Sequence, residues 1–269
     1  VDDNLFKNFW PTSVHLIGKD ILRFHAVYWP AFLMAAKIPL PKKIYGHGWI
    51  LSGEEKMSKS KGNILDPLDI IDTYGLDPLR YYLIKEVSFG NDGNISKDKL
   101  EDCINSDLAN NFGNLCQRVT AFAEKNCFSK IPKIKKFNDA DLLMLNKFTD
   151  NLPIIRDEID KQNINYYIKF IVSALFEANK YFNDQEPWKK KDDQERLDTI
   201  VYTALEMIRK ISILLYPIIP NSIKKVLKIF DLTVENIDLE SIKSHDYLKA
   251  DSTINKIDIL FKKIEKKND

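Results

Sequence analysis

Two lysines three positions apart, Lys56 and Lys59, carry the densest chemistry in the sequence. Met57, Ser58 and Ser60 surround them and Gly62 follows. Each ammonium is a point charge with three donors on a flexible stem, which suits a polyphosphate. When a phosphate is attacked its oxygens gain charge, and cations positioned there accelerate phosphoryl or adenylyl transfer. Taken alone, a Lys/Ser run also reads as a solvated basic loop.

Gly18 and Asp20 follow the apolar run 14–17. That is the carboxyl end of a candidate strand, where open α/β sheets dock ligands and a carboxylate can accept ribose hydroxyls. Ile21, His25 and Trp29 recur every four residues, so they share a helix face. An aliphatic group, an imidazole and an indole together suit a thioether chain. The same face would equally serve as ordinary core around a satisfied histidine.

Asp107, Asn111, Asn114 and Arg118 make a polar stripe at spacings of four, three and four. Amide and guanidinium groups read base edges on unstacked RNA. Pro187 and Trp188 open a helix in a polar setting. An indole held there offers a base a stacking surface worth about 1–3 kcal/mol. Without further context the stripe is a polar flank, and Trp188 a hinge residue packed on its neighbour.

The elements that must position these groups fall in two halves. Residues 14–17 read as a buried strand stopped by Gly18. Residues 20–36 read as a helix capped by Asp20, kinked at Pro30 and ended by Pro39 and Pro41. Residues 44–51 return as a strand, which completes a βαβ unit. The lysine loop spans 52–63, and residues 67–74 and 77–87 are helix-like. Residues 89–94 form a turn-rich joint, which sets domains at 1–92 and 93–269. From 96 to 230 the pattern is helical, with an apolar stripe of Leu100, Ile104, Leu108, Leu115, Val119 and Phe122. Further helices are expected over 139–162, 165–182, 193–216 and 221–229, broken at Pro217 and Pro220. Such helices with short joints make a bundle. The lysine-rich end, 245–269, reads as a solvated tail. The fold class is therefore α/β followed by all-α.

Composition narrows the partners. Forty basic residues balance thirty-nine acidic ones in 269 residues, so any RNA contact must be a local patch. Cys103, Cys116 and Cys127 fit neither a zinc knuckle nor a disulfide framework; they read as reduced cytosolic thiols. No apolar run approaches the roughly 18 residues of a membrane span, and no signal peptide is visible. The chain opens on Val1, directly into patterned sequence, which reads as a cut through a longer protein.

The string Lys56-Met57-Ser58-Lys59-Ser60 resembles the second signature of class I aminoacyl-tRNA synthetases. Gly46-His47-Gly48-Trp49 before it, and Lys61-Gly62-Asn63 with Asp66-Pro67 after it, resemble that signature's surroundings. The stretch 18–30 is similar to the methionyl-tRNA synthetases in particular. Asn114-Leu115-Cys116-Gln117-Arg118, the upstream run 105–111 and the pair Pro187-Trp188 resemble that family's anticodon-binding bundle.

The resemblance implies the second half of a Rossmann-type catalytic fold with its lysine loop and stem-contact region, then a helical anticodon-binding domain. It implies that Lys59 and Lys56 are catalytic, and that Gly18, Asp20, Met57, Ser58 and Ser60 join them at ATP. Ile21, His25 and Trp29 would border methionine. Asn114, Arg118, Pro187 and Trp188 would meet the anticodon of tRNA(Met). Magnesium would arrive with the triphosphate, and no zinc site is expected in these residues. The family's first signature, His-x-Gly-His, is absent, because His15, His25, His47 and His245 include no such pair. The chain alone is therefore expected to be inactive. Nothing after Lys249 has room for an added RNA-binding barrel that dimerises, so a cytoplasmic monomer without membrane contact is expected. Two other readings stay open: another class I synthetase, for Leu, Ile, Val or Cys, or a tRNA-binding module without a catalytic role.

Overall fold

The computed structural model describes residues 3–12, 14–52, 55–56, 65–88 and 90–265. They form two units, Val1–Leu65 with Glu86–Ser96, and Asp66–Lys85 with Lys97–Asp269.

In the first unit α1 (Asp3–Phe9) precedes β1 (His15–Gly18). β2 (Ile44–His47) pairs with β1 in parallel, with His15 opposite Ile44 and Gly18 opposite His47. The crossover is helical but not uniform. It runs through a 3₁₀ turn (Lys19–Ile21), a π-helical turn (Phe24–Tyr28) and α2 (Trp29–Ala35). Two expectations change here. Asp20 lies inside the 3₁₀ turn rather than at its cap, where Gly18 makes no side-chain hydrogen bond. The irregularity expected at Pro30 falls just before it, because Pro30 occupies the first turn of α2, where a missing N–H is tolerated. The widened turn ahead of it leaves that N–H unneeded.

The expected single strand over 44–51 is two strands. β3 (Ile50–Ser52) leaves β2 at Gly48-Trp49 and enters a second sheet. Gly48 passes so close to Asn91 that a Cβ there would lie 2.2 Å from its carbonyl oxygen. β3 pairs antiparallel with β4 (Glu55–Lys56), Leu51 opposite Lys56. It also pairs in parallel with β5 (Gly93–Ile95), Leu51 opposite Asn94.

The second unit is helical. Asp66 caps α3 (Pro67–Tyr74) by accepting from the Leu68 N–H at 2.8 Å. α4 (Leu76–Glu86) is sewn into this unit by its polar groups. Asp77 accepts from the Ser222 N–H at 2.5 Å, and Arg80 Nε donates to the Ile218 carbonyl at 2.7 Å. Next come α5 (Lys97–Cys103), a π-helical segment (Ile104–Gly113), α6 (Asn114–Asn126) and α7 (Asp139–Asp160). α8 (Ile164–Asp184), α9 (Gln194–Leu215) and α10 (Pro220–Leu227) complete the bundle. The break between the last two falls at Pro217–Pro220, where the prolines forbid continuation.

α9 is the core of this unit, buried on every face from Thr199 to Leu215. A helix so enclosed must have partners for its charges. Arg209 pairs with Glu206 at 2.7 Å, and Glu206 accepts from the Leu248 N–H at 2.8 Å. Lys210 donates to the carbonyls of Ile242 and Ser244, and burial pushes its ammonium down to about 8. The irregular segment beyond residue 240 is thus bound to the core. This overturns the expectation of a solvated tail as far as residue 265; residues 266–269 lie outside the described residues. Leu248, Ile254 and Phe261 are buried, and the Asn105 amide makes two hydrogen bonds to the Ile264 backbone at 2.7 and 2.9 Å.

Three helices meet at Asp141, which is fully buried. It closes a capping box with Asn138 at the start of α7 and accepts from Tyr181 Oη of α8 at 2.5 Å. Arg196 of α9 grips it with two donors at 2.6 and 2.9 Å, and also donates to Gln185 at 2.6 Å. Removing one partner of a buried pair strands the other's charge, at a cost of about 3–5 kcal/mol. Arg196→Met is therefore expected to destabilise the helical unit by about that amount in urea unfolding. A loss under about 1 kcal/mol would show the pair to be solvent-screened.

Candidate functional site

The first unit holds an open groove of about 840 Å³, lined among others by His15, Ile17, Phe24, His25, Tyr28 and Trp29. Its walls are the side of β1 and the face that the π-helical turn presents. His25 Nδ1 donates to the Ile21 carbonyl at 3.0 Å. Of the three residues expected on one face, His25 and Trp29 enter the groove. Ile21 is joined to them through that hydrogen bond and stays half-exposed outside the walls. The wider π turn shifts the phase that a regular helix would keep.

Trp10 supports the groove and was not singled out by spacing. Its ring stands edge-on to Trp29 at 6.1 Å and tilted to His15 at 5.9 Å, while Nε1 donates to the Pro39 carbonyl at 2.8 Å. His15 in turn meets His25 edge-on at 6.4 Å. An aromatic-lined apolar groove with the imidazoles of His15 and His25 in its walls fits an uncharged, polarisable side chain.

Gly18 ends β1 beside this groove, and a Cβ on it would sit 2.5 Å from Asp20 Oδ1. Asp20 itself is exposed, free to meet a polar ligand at the strand's carboxyl end. Next to it a latch escaped the sequence reading. Lys19 Nζ binds both Asp92 oxygens, at 2.5 and 2.7 Å, and Asp92 also accepts from the Trp49 N–H at 2.8 Å. Lys19, and secondarily that N–H, hold the Asp92 carboxyl below the usual carboxylate range. The latch ties the end of β1 to the chain that enters β3 and β5.

β4 carries the backbone of Lys56 into the lysine string. Met57, Ser58, Lys59 and Ser60 lie outside the described residues. Among the described residues, no three or more His, Cys, Asp or Glu side chains converge on a metal-sized site.

The second unit carries a separate polar surface. Arg118 donates to Asn183 Oδ1 at 2.5 Å and stands over the Phe182 ring at 5.8 Å. Trp188 meets the same ring edge-on at 6.3 Å and remains 40% exposed. Asn111 accepts from Asn179 Nδ2 at 2.6 Å, and Asn114 lies one turn before Arg118 on α6. Pro187 is buried at the start of a 3₁₀ turn, entered through Glu186 in the left-handed region (φ 45°). Arg118 and Trp188, distant in sequence, thus flank one phenyl ring. Asp107 leaves the stripe. It is buried, accepting from Tyr81 Oη at 2.9 Å and pairing with Lys85 at 2.6 Å. The π-helical segment again explains the change, since its wider turn rotates Asp107 away from Asn114.

Cys103, Cys116 and Cys127 are all buried, and none is in a disulfide among the described residues. Burial pushes Cys127 up to about 12, with the nearby Asp198 adding to the shift. Among the described residues no helix is long and apolar enough to cross a membrane.

Comparison with known proteins adds two family matches. Residues 1–120 match the model for class I tRNA synthetases (M), and residues 131–269 match the anticodon binding domain of methionyl tRNA ligase. A methionine–tRNA ligase of Brucella suis is 45% identical over 222 residues, covering 82% of this chain and 43% of the relative. One from Rickettsia felis is 42% identical over 267 residues, covering 97% and 52%. The solved structure of Mycobacterium tuberculosis methionyl-tRNA synthetase in complex with methionyl-adenylate superposes with a TM-score of 0.92 at 38% identity. It covers 97% of this chain and 52% of that one. The chain spans about half the length of the relatives it matches.

Proposed function

The chain belongs to the methionyl-tRNA synthetase family, and from that premise we propose that it serves as the C-terminal half of a methionine–tRNA ligase. Residues 1–92 take part in methionine activation, and residues 93–269 recognise the anticodon of tRNA(Met). The observation that carries this reading is the pairing of Arg118 and Trp188 around Phe182, beside an amide row.

In the first step the methionine carboxylate attacks the α-phosphate of ATP, and pyrophosphate leaves. Lys59, assisted by Lys56, meets the charge that builds on the phosphate oxygens. Gly18 leaves room at the end of β1 for the nucleotide, and Asp20 accepts the ribose hydroxyls. Met57, Ser58 and Ser60 complete the ATP contact. His25 and Trp29, with Ile21 behind them, border the thioether side chain. In the second step a terminal ribose hydroxyl of the tRNA attacks the adenylate's carbonyl carbon, and AMP leaves. Magnesium would arrive with the triphosphate, held by its phosphate oxygens, and would neutralise part of their charge. Asn114, Arg118, Pro187 and Trp188 hold the anticodon. A cytoplasmic monomer is the form proposed.

The test is amino-acid-dependent ATP–pyrophosphate exchange, on a synthetase whose C-terminal half is this chain. Methionine is expected to exceed leucine and cysteine in kcat/KM by about 10²-fold or more, since an apolar pocket separates a methylene difference by 10- to 200-fold. Equal exchange with leucine or cysteine would move the chain to another class I specificity. No exchange with any amino acid would leave a tRNA-binding module.

A further inference from the structure

Phe176 is 64% exposed in the middle of α8, an unusual position for a phenylalanine in a helix with a well-packed inner face. Its neighbours on the outer face explain what it could serve. Val172, Phe176, Asn179 and Asn183 follow one another at spacings of four, three and four along α8, so they share one stripe. Asn179 and Asn183 are the two residues that α8 contributes to the polar surface, through Asn111 and Arg118 respectively. Phe176 therefore continues that surface by one turn.

The stripe has a regular order. Phe176 stands at one end and Trp188 at the other, with the amides of Asn179, Asn111 and Asn183 and the Arg118 guanidinium between them. Seven residues of helix separate Phe176 from Asn183, about 10 Å of rise. That is about three steps of the 3.4 Å base spacing. Polar edges bracketed by two exposed aromatic faces make a surface for a short single strand. Asn179 Nδ2 donates to Asn111 and to the Leu175 carbonyl, which fixes that amide one turn from the exposed ring.

We propose that Phe176 is a second stacking platform for an anticodon-loop nucleotide. The inference rests on the anticodon reading of this surface. The experiment measures binding of a fluorescent tRNA(Met) anticodon stem-loop to the full-length synthetase. Phe176→Ala is expected to weaken binding by about 5- to 100-fold, the range that loss of one base–aromatic stack produces. Phe176→Tyr should stay within about twofold of the parent and Phe176→Leu should behave like Phe176→Ala, because the π face, not apolar area, does the binding. Ile259→Ala serves as control, since Ile259 is also 64% exposed, and it should bind as the parent does. Thermal unfolding confirms that each variant is folded.

Stem-loops with an abasic site at each loop position in turn identify the stacked nucleotide. For that one, the parent and Phe176→Ala should bind alike. If the parent fails to prefer the anticodon stem-loop over one with a scrambled loop, the anticodon reading itself fails. If the parent prefers it and Trp188→Ala weakens it while Phe176→Ala does not, only the present inference is overturned. The same holds if Phe176→Leu retains full affinity.

Discussion

Lys59→Ala is expected to cut methionine-dependent ATP–pyrophosphate exchange by about 10²–10³-fold in kcat, with a small change in KM for methionine. The magnitude is that of removing one preorganised charge or donor from a developing anionic transition state. The split between kcat and KM follows from the role. An ammonium that meets charge only as the α-phosphate is attacked lowers the barrier more than it tightens the ground state. Lys56 is proposed only to assist Lys59, so Lys56→Ala should cost less. Lys59→Arg keeps the charge but replaces a compact ammonium with a planar fork, and should recover only part of the rate. Burst measurement of adenylate formation separates chemistry from product release. A Lys59→Ala enzyme with an unaltered burst would remove the catalytic assignment and leave the string a solvated loop.

What spacing could convey about this site was local, and what it lacked was long-range or came from irregular helix. The helices over 139–160, 164–184 and 194–215 fall within two residues of their expected bounds, because apolar periodicity and capping residues mark them directly. Both faces built on regular spacing lost one member. Ile21 and Asp107 each sit before or within a π-helical turn, which advances the chain by a different angle from the one the spacing assumes. The Lys19–Asp92 latch joins residues far apart in sequence, and nothing in either local string marks the partner. The tail misled through composition. Its lysines hide Ile254 and Phe261, and the Asn105 amide that holds Ile264 imitates a strand edge no pattern of the tail reveals. Phe176 escaped for the opposite reason, since an exposed aromatic in an amphipathic helix looks like an error of phase until its neighbours are known.

Trp188→Ala should lower kcat/KM for tRNA charging by about 5- to 100-fold while exchange with ATP and pyrophosphate stays near the parent value. The indole is positioned from below by rigid contacts. Pro187 is buried beneath the turn, Phe182 meets the ring edge-on, and Gln185 just upstream is held by the Arg196–Asp141 pair. Its exposed face is thus prepaid in conformational entropy, and a stacked base gains nearly the full interaction. Arg118 shares the Phe182 ring and so belongs to the same energetic unit. Arg118→Ala combined with Trp188→Ala should cost less than the sum of the single losses, because each variant already disturbs the other's support. Trp188→Phe, which keeps a π face on the same scaffold, should retain most of the affinity. Should Trp188→Ala slow adenylate formation as much as it slows charging, the indole is holding the bundle together rather than holding RNA. The loss would then appear as a lower unfolding midpoint, not as a higher KM for tRNA.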